Sequence, residues 1–145
     1  MTIPLLDVNV LVALAWPNHV HHVAASRWFS DHHEQGWATC PLTESGFIRV
    51  STNHRITPDA RSVDEAASML AAYRQVVGHT FWTDDVSLAM LSAPLRGAIL
   101  GHRQVTDAHL IVLAQRHRGT LATFDAEAGR LAERLGADAA VITSG

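Results

Sequence analysis

The chain contains no lysine, and all eleven of its basic residues are arginine. An arginine-rich codon usage accounts for the absence, but its consequences hold whatever the cause. A P-loop NTPase needs the lysine of its phosphate-binding loop, and a pyridoxal-phosphate enzyme needs a Schiff-base lysine; both classes are excluded. Cysteine is almost as scarce: Cys40 stands alone, so no intrachain disulfide can form. Its place at the end of a short apolar run, with no dedicated base in evidence, suits a small core residue rather than a nucleophile. No apolar run approaches the roughly 20 residues that a membrane span requires. The first residues, MTIPLLDVN, have no basic start and reach an acid at once, unlike a secretory signal. A cytoplasmic protein without a membrane segment is the expectation.

What remains is a chain of 145 residues, 48% hydrophobic and 17% charged. That composition suits one folded domain over 1–145 with a real core rather than a disordered segment. Apolar runs at 3–6, 37–40, 79–82, 120–124 and 139–143 read as strands. Between them the spacing predicts helices. One follows residue 7 and ends at Trp16-Pro17. A second covers 19–34, with Val20, Val23, Ala24 and Trp28 inward. Pro41 opens a third, carrying Phe47, Ile48 and Val50. Ser62-Val63-Asp64-Glu65 is a capping box for a helix running to Gly78 and burying Val76 and Val77. Asp84 and Asp85 would cap a helix over 86–92, residues 94–104 a surface loop, and Thr106 would cap a helix ending before Gly119. A final helix covers 127–135. Alternating strands and helices predict an α/β fold, a parallel sheet sandwiched between helices with right-handed crossovers.

Four acids occupy equivalent places in this pattern: Asp7 in LLDVNVLVAL, Glu44 in CPLTESGF, Asp107 in QVTDAHLIVL and Asp125 in LATFDAEAG. Asp7 and Asp125 follow strands; Glu44 and Asp107 lie in first turns of helices. Strand ends and helix starts converge on one edge of an open α/β sheet, so the four can share a pocket. Taken singly, each reads as a helix cap or dipole partner. Taken together, they form a carboxylate cluster that calls for hard divalent cations such as Mg²⁺ or Mn²⁺, whose ligands are oxygens. Two such ions about 4 Å apart serve phosphodiester hydrolysis. The net charge of −3 does not oppose an anionic substrate. With the four acids set aside as a metal site, the rest of the chain is positive.

The segments LLDVNVLVAL, PLTESGF, VTDAHLIVLA and LATFD, in this order, resemble those of the PIN-domain nucleases, and within them the VapC-type toxins of toxin–antitoxin pairs. FIRVSTN, GHTFWTDD and GHRQVTDAHLI are similar to the mycobacterial branch. The resemblance implies a five-stranded parallel sheet and an Mg²⁺- or Mn²⁺-dependent endoribonuclease that cuts structured RNA, chiefly transfer RNA or a ribosomal RNA loop, with a metal-activated water. Asp7 and Asp107 would be the principal metal ligands. Glu44 would hold a metal or orient its water, and Asp125 would complete a second metal position. Asn9 would position water or phosphate, and Thr106 and Thr123 would hydrogen-bond around the acids. The implied partners are a VapB-type antitoxin, whose tail fills the groove, and a second copy of the chain.

Other features carry plainer readings. The ten histidines include His19 and His22 on one helix face, without further ligands for zinc. His109 points away from Asp107 and reads as a packing residue or a substrate-contact candidate. Arg49, Arg55, Arg96 and above all Arg103 are candidates for phosphate contact. Trp28 and Trp37 read as core, while Trp16 and Trp82 are undecided between core and base stacking. The rival reading is a PIN-like module that binds RNA or a partner without cutting. A haloacid-dehalogenase phosphatase is excluded by Asn9 and by the missing lysine.

Overall fold

The structure is a computed structural model that describes residues 2–143. Its strands are β1 (Pro4–Leu6), β2 (Trp37–Thr39), β3 (His79–Phe81), β4 (Thr120–Thr123) and β5 (Ala139–Val141). They form one sheet in the order β3-β2-β1-β4-β5, and every neighbouring pair is parallel. The chain starts in the middle, at β1, and steps outward through β2 to β3. It then crosses to the other side of β1 to lay down β4 and β5. The direction of winding therefore reverses between β1 and β4. In open α/β sheets, a crevice for ligands opens beyond the strand carboxyl ends at such a reversal. Asp7 leaves β1 there, and Asp125 follows β4 by two residues.

Seven helices are present among the described residues: α1 (Val8–Ala15), α2 (His22–His32), α3 (Pro41–Ser51), α4 (Val63–Tyr73), α5 (Ala93–Gly97), α6 (Val105–Arg116) and α7 (Ala126–Arg134). Strand side chains alternate between two cores. Leu5, Ala38 and Leu121 pack with Leu110, Leu113 and Leu131 under α6 and α7. Leu6, Trp37 and Ala122 pack with Val10, Phe29, Phe47 and Leu70 under α1 to α4. The predicted α/β sandwich is present. Trp16 and Trp82 both belong to these cores. The Trp16 indole N–H donates to Ser51 Oγ at 3.2 Å, and Trp82 stacks on His117 at 4.5 Å.

Two helices fix the geometry of the crevice. Helix α3 crosses α1 so closely that a Cβ on Gly46 would lie 2.5 Å from Val8 Cγ2. Only glycine permits this approach, which seats the start of α1 against the helix carrying Glu44. The Ser62–Glu65 capping box of α4 is formed, with Glu65 N donating to Ser62 Oγ at 3.1 Å and Ser62 N donating to Glu65 Oε1 at 3.3 Å.

Several expected elements differ. Helix α2 is shorter than 19–34, and its inward residues are Ala25 and Phe29. Val20 and Val23 are 84% and 66% exposed. A run rich in apolar residues on more than one face leaves the phase open by one step, and Phe29, the largest of them, sets it. Helix α4 stops at Tyr73, five residues short of Gly78, so Val77 is exposed. Over 86–92 only a 3₁₀ turn forms, Leu88–Met90; Asp84 accepts from Val86 N at 3.0 Å instead of capping an α-helix. The expected loop over 94–104 contains most of α5 and a 3₁₀ turn, His102–Gln104, that runs directly into α6. Gln104 therefore takes the cap position of α6, and Thr106 lies exposed in its first turn. No helix among the described residues is long and apolar enough to cross a membrane.

Candidate active site

Asp7 is the N-cap of α1. Its backbone N–H donates to Ala122 O at 2.9 Å, tying the residue to β4. Its Oδ1 accepts from Val8 N at 2.7 Å, and its Oδ2 accepts from the Thr123 hydroxyl at 2.8 Å. Burial raises the Asp7 carboxyl above the ordinary aspartate range, and Asp125 adds to the rise; the bonds from Thr123 and Val8 oppose it.

Thr123, fully buried at the end of β4, is the hub beneath the acids. While donating to Asp7, its oxygen accepts from Asn9 Nδ2 at 3.2 Å and from Asp125 N at 3.1 Å. Asn9 Oδ1 in turn accepts from Phe124 N at 3.3 Å. Asp125 caps α7 by accepting from Glu127 N at 2.9 Å. Asp107 completes the group from the first turn of α6. Burial first, then Asp7 and Asp125, push its carboxyl up to about 6. Burial dominates both shifts, and repulsion among the three aspartates adds to it.

Asp7, Asp107 and Asp125 line one groove of about 550 Å³, with Asn9 among them and Val12, Trp16 and Ile56 on its apolar side. Among the described residues, the groove's only other ionisable lining residue is His19, whose ring burial and the neighbouring His21 and His22 bias toward the neutral form. No arginine among the described residues lines it. The donors suit a hard cation: three carboxylates, with oxygens as their donor atoms. Among the described residues, no three His, Cys, Asp or Glu side chains close on a point tightly enough to enclose an ion unaided. An ion held here would draw its remaining ligands from water and substrate phosphate, as Mg²⁺ commonly does.

Glu44 does not line this groove. From α3 its Oε2 accepts from Thr39 Oγ1 at 2.6 Å, and its Oε1 lies 3.4 Å from the Arg74 guanidinium. The expected set of four is thus three acids in the groove and one, Glu44, held by Thr39 and Arg74 outside its lining. Thr106 makes no hydrogen bond to the acids among the described residues and is solvent-facing. Arg103 is exposed in the turn before α6, with no ion pair among the described residues. Arg49 and Arg55 are exposed, while Arg96 is taken up by Leu91 O at 2.6 Å.

Residue-type reasoning missed the role of His109, which is not a simple packing residue: its Nε2 lies 2.7 Å from Asp84 Oδ2. Its spacing from Asp107 placed it on another face of α6, but nothing in the sequence pointed to Asp84 across the sheet edge. The remaining histidines are mostly structural. His22, His32 and His33 donate through Nδ1 to the carbonyls of Ala13, Trp28 and Val77, and His21 stacks on Phe124 at 4.6 Å.

A parallel sheet reversing between β1 and β4, with three aspartates gathered beyond that reversal, defines a class of acid-site α/β domain. The PIN domain profile matches residues 5–134, and the chain belongs to the PIN-domain family. It is similar to Ribonuclease VapC39 of Mycobacterium tuberculosis, 54% identical over 122 residues that cover 84% of this chain and 88% of the relative. It is also similar to Ribonuclease VapC38 of the same organism, 53% identical over 130 residues, 90% of each. Ribonuclease VapC44 is 41% identical over 83% of this chain and 84% of its own length.

The Thr123 hub yields a prediction. Thr123→Val keeps the shape but deletes the donor to Asp7 and the acceptor for Asn9 and Asp125. We expect Mn²⁺ affinity, measured by calorimetry, to fall about 10- to 100-fold, as when other groups that orient metal ligands are lost. Unchanged affinity would remove Thr123 from the site.

Proposed function

We propose that this protein is a VapC-type toxin: an endoribonuclease that uses Mg²⁺ or Mn²⁺ to hydrolyse structured RNA, a transfer RNA or a ribosomal RNA loop, and so arrests translation and growth. The observation that carries this reading is the groove of three aspartates, two of them with carboxyls raised above the ordinary aspartate range and none in an ion pair among the described residues. The names of its relatives, ribonucleases throughout, support it. Asp7 and Asp107 would hold the ion, and Asp125 would serve a second, weaker position. Glu44 would act from the rim on a water of the ion's shell. A divalent cation bound there would activate the attacking water and neutralise charge on the phosphate. The protein's own contribution is placement. Thr123 and Val8 fix the Asp7 oxygens, Asn9 is held by Phe124 N to face water or phosphate, and the Asp125 cap fixes its carboxylate. Arg103, unpaired at the mouth of α6, would meet the RNA backbone.

Water would attack phosphorus in line. The new P–O bond forms as the bond to the 3′ oxygen breaks, and that oxygen leaves with a proton. The products are a 3′-hydroxyl and a 5′-phosphate. We further propose a cytoplasmic homodimer held inactive by a VapB-type antitoxin. Mapping the ends of cleaved total RNA tests the chemistry: 5′-phosphate ends are expected. A 2′,3′-cyclic phosphate would mean that the ribose hydroxyl, not water, attacks.

The rival, a module that binds RNA without cutting, draws its one support from Glu44, which is engaged by Arg74 rather than facing the groove. Turnover that requires the divalent ion separates the two.

A further inference from the structure

We propose that Thr39 and His79 are positioning residues for Glu44, acting through a directed hydrogen-bond chain from β3 through β2 to α3; the proposal rests on the ribonuclease reading above. The direction of the chain follows from proton counting. An ionised Glu44 carboxylate has no proton, so at 2.6 Å the Thr39 hydroxyl must donate to Oε2. A hydroxyl has one hydrogen, so Thr39 Oγ1 can only accept from His79 Nε2, 2.8 Å away. His79 is thereby fixed with its proton on Nε2, and the chain runs His79 to Thr39 to Glu44.

The two anchor residues sit where they can bear this role. In the parallel register, Trp37 lies opposite His79 and Thr39 opposite Phe81. Thr39 and His79 are therefore diagonal neighbours on one face of the sheet. Thr39 is fully buried in β2, and the His79 ring packs on Trp37 at 4.6 Å. Hydrogen bonds from a hydroxyl to a carboxylate are short and strong, and this one starts from a rigid strand. Arg74 is the weaker partner: its side chain is 41% exposed, it stands 3.4 Å from Oε1, and its guanidinium rests on Phe81 at 4.9 Å. The Glu44 side chain is 15% exposed, so the weakness of the pair lies in its length and in the exposed arginine. The chain thus pins Oε2 and leaves Oε1, facing a displaceable arginine, as the oxygen able to turn to a water of the metal shell.

The test separates packing from donation. His79→Phe keeps a ring against Trp37 and deletes the N–H; His79→Gln restores a donor. In purified, folded protein with Mn²⁺ and cleavable RNA, His79→Phe should lower kcat about tenfold with KM little changed, and His79→Gln should recover most of it. In a Glu44→Gln background, His79→Phe should cost nothing more. In RNA-free protein, ¹³C relaxation should show the Glu44 side chain more mobile in His79→Phe than in wild type. An unchanged kcat in His79→Phe, or an equal loss in the Glu44→Gln background, overturns the proposal. Wild type that cleaves no RNA overturns the ribonuclease reading and with it any catalytic use of the pin. A Glu44 side chain equally ordered in both proteins overturns the pin itself.

Discussion

Asp107→Asn is expected to abolish RNA cleavage while making the metal-free protein more stable at neutral pH. Replacing a proposed metal ligand would remove an interaction that serves both the ion and the charge on the phosphate, and the expected loss of at least about 10³-fold corresponds to about 4 kcal/mol of transition-state stabilisation. The stability gain has a definite sign. The Asp107 carboxyl, held up at about 6 by burial and by Asp7 and Asp125, binds its proton more tightly folded than unfolded. Between about pH 4, the unfolded value, and pH 6 the folded state carries the extra proton, so wild-type stability falls as pH rises through that window. Below it the carboxyl is protonated in both states and costs nothing; above it the full penalty applies. Discounted for solvent around a half-buried group, the penalty is about 1 kcal/mol, a rise of about 3 °C in Tm for a chain of this size. Melting curves without metal should therefore separate the variant from wild type at pH 7.5 and bring them together at pH 4. Saturating Mn²⁺ should raise the wild-type Tm and leave the variant nearly unmoved. A variant that melts like wild type at every pH, or that still cuts RNA, removes Asp107 from the site.

Gly78→Ala has the largest expected effect on folding. Gly78 takes a φ of +98°, a backbone conformation that disfavours any side chain. A Cβ there would collide with the carbonyl oxygen of His33. That carbonyl accepts from Gly36 N at 3.1 Å, and Gly78 O accepts from Trp37 N at 3.0 Å. The turn entering β3 and the turn entering β2 are thus built against each other through one glycine. Strain and overpacking together cost roughly 3 kcal/mol, a fall of about 10 °C in Tm. Because β3 begins at His79, cleavage should fall as well, even in the fraction that remains folded. A Tm within 2 °C of wild type, read against the roughly 10 °C expected, would show that the turn yields at little cost.

Much of this architecture can be read from the chain because its signals are local. Short apolar runs ending in Asp7 and Asp125 mark strand ends, and a parallel sheet brings strand ends together. Thr123 stands two residues before Asp125, so its place beneath the acids also follows from the strand. Features set by distant packing were not legible. The phase of α2 depends on Phe29 finding Trp37, 5.0 Å away in the core, and the early stop of α4 has no glycine or proline to announce it. The partners of Glu44 are Thr39 on β2 and Arg74 just past α4, and His79 on β3 stands behind Thr39, a juxtaposition that no single segment encodes. The same is true of Asp84 and His109. Spacing shows which acids approach the sheet edge; it does not show which of them another residue holds.

The most direct test of the ribonuclease assignment compares wild type with Asp7→Asn, both purified free of antitoxin and shown to be folded, on total RNA with Mn²⁺ and again with EDTA. Wild type should cut at one or a few sites with Mn²⁺ and nowhere with EDTA, and Asp7→Asn should cut nowhere. Equal cleavage by the two proteins, or cleavage that survives EDTA, would contradict a nuclease site built on these aspartates.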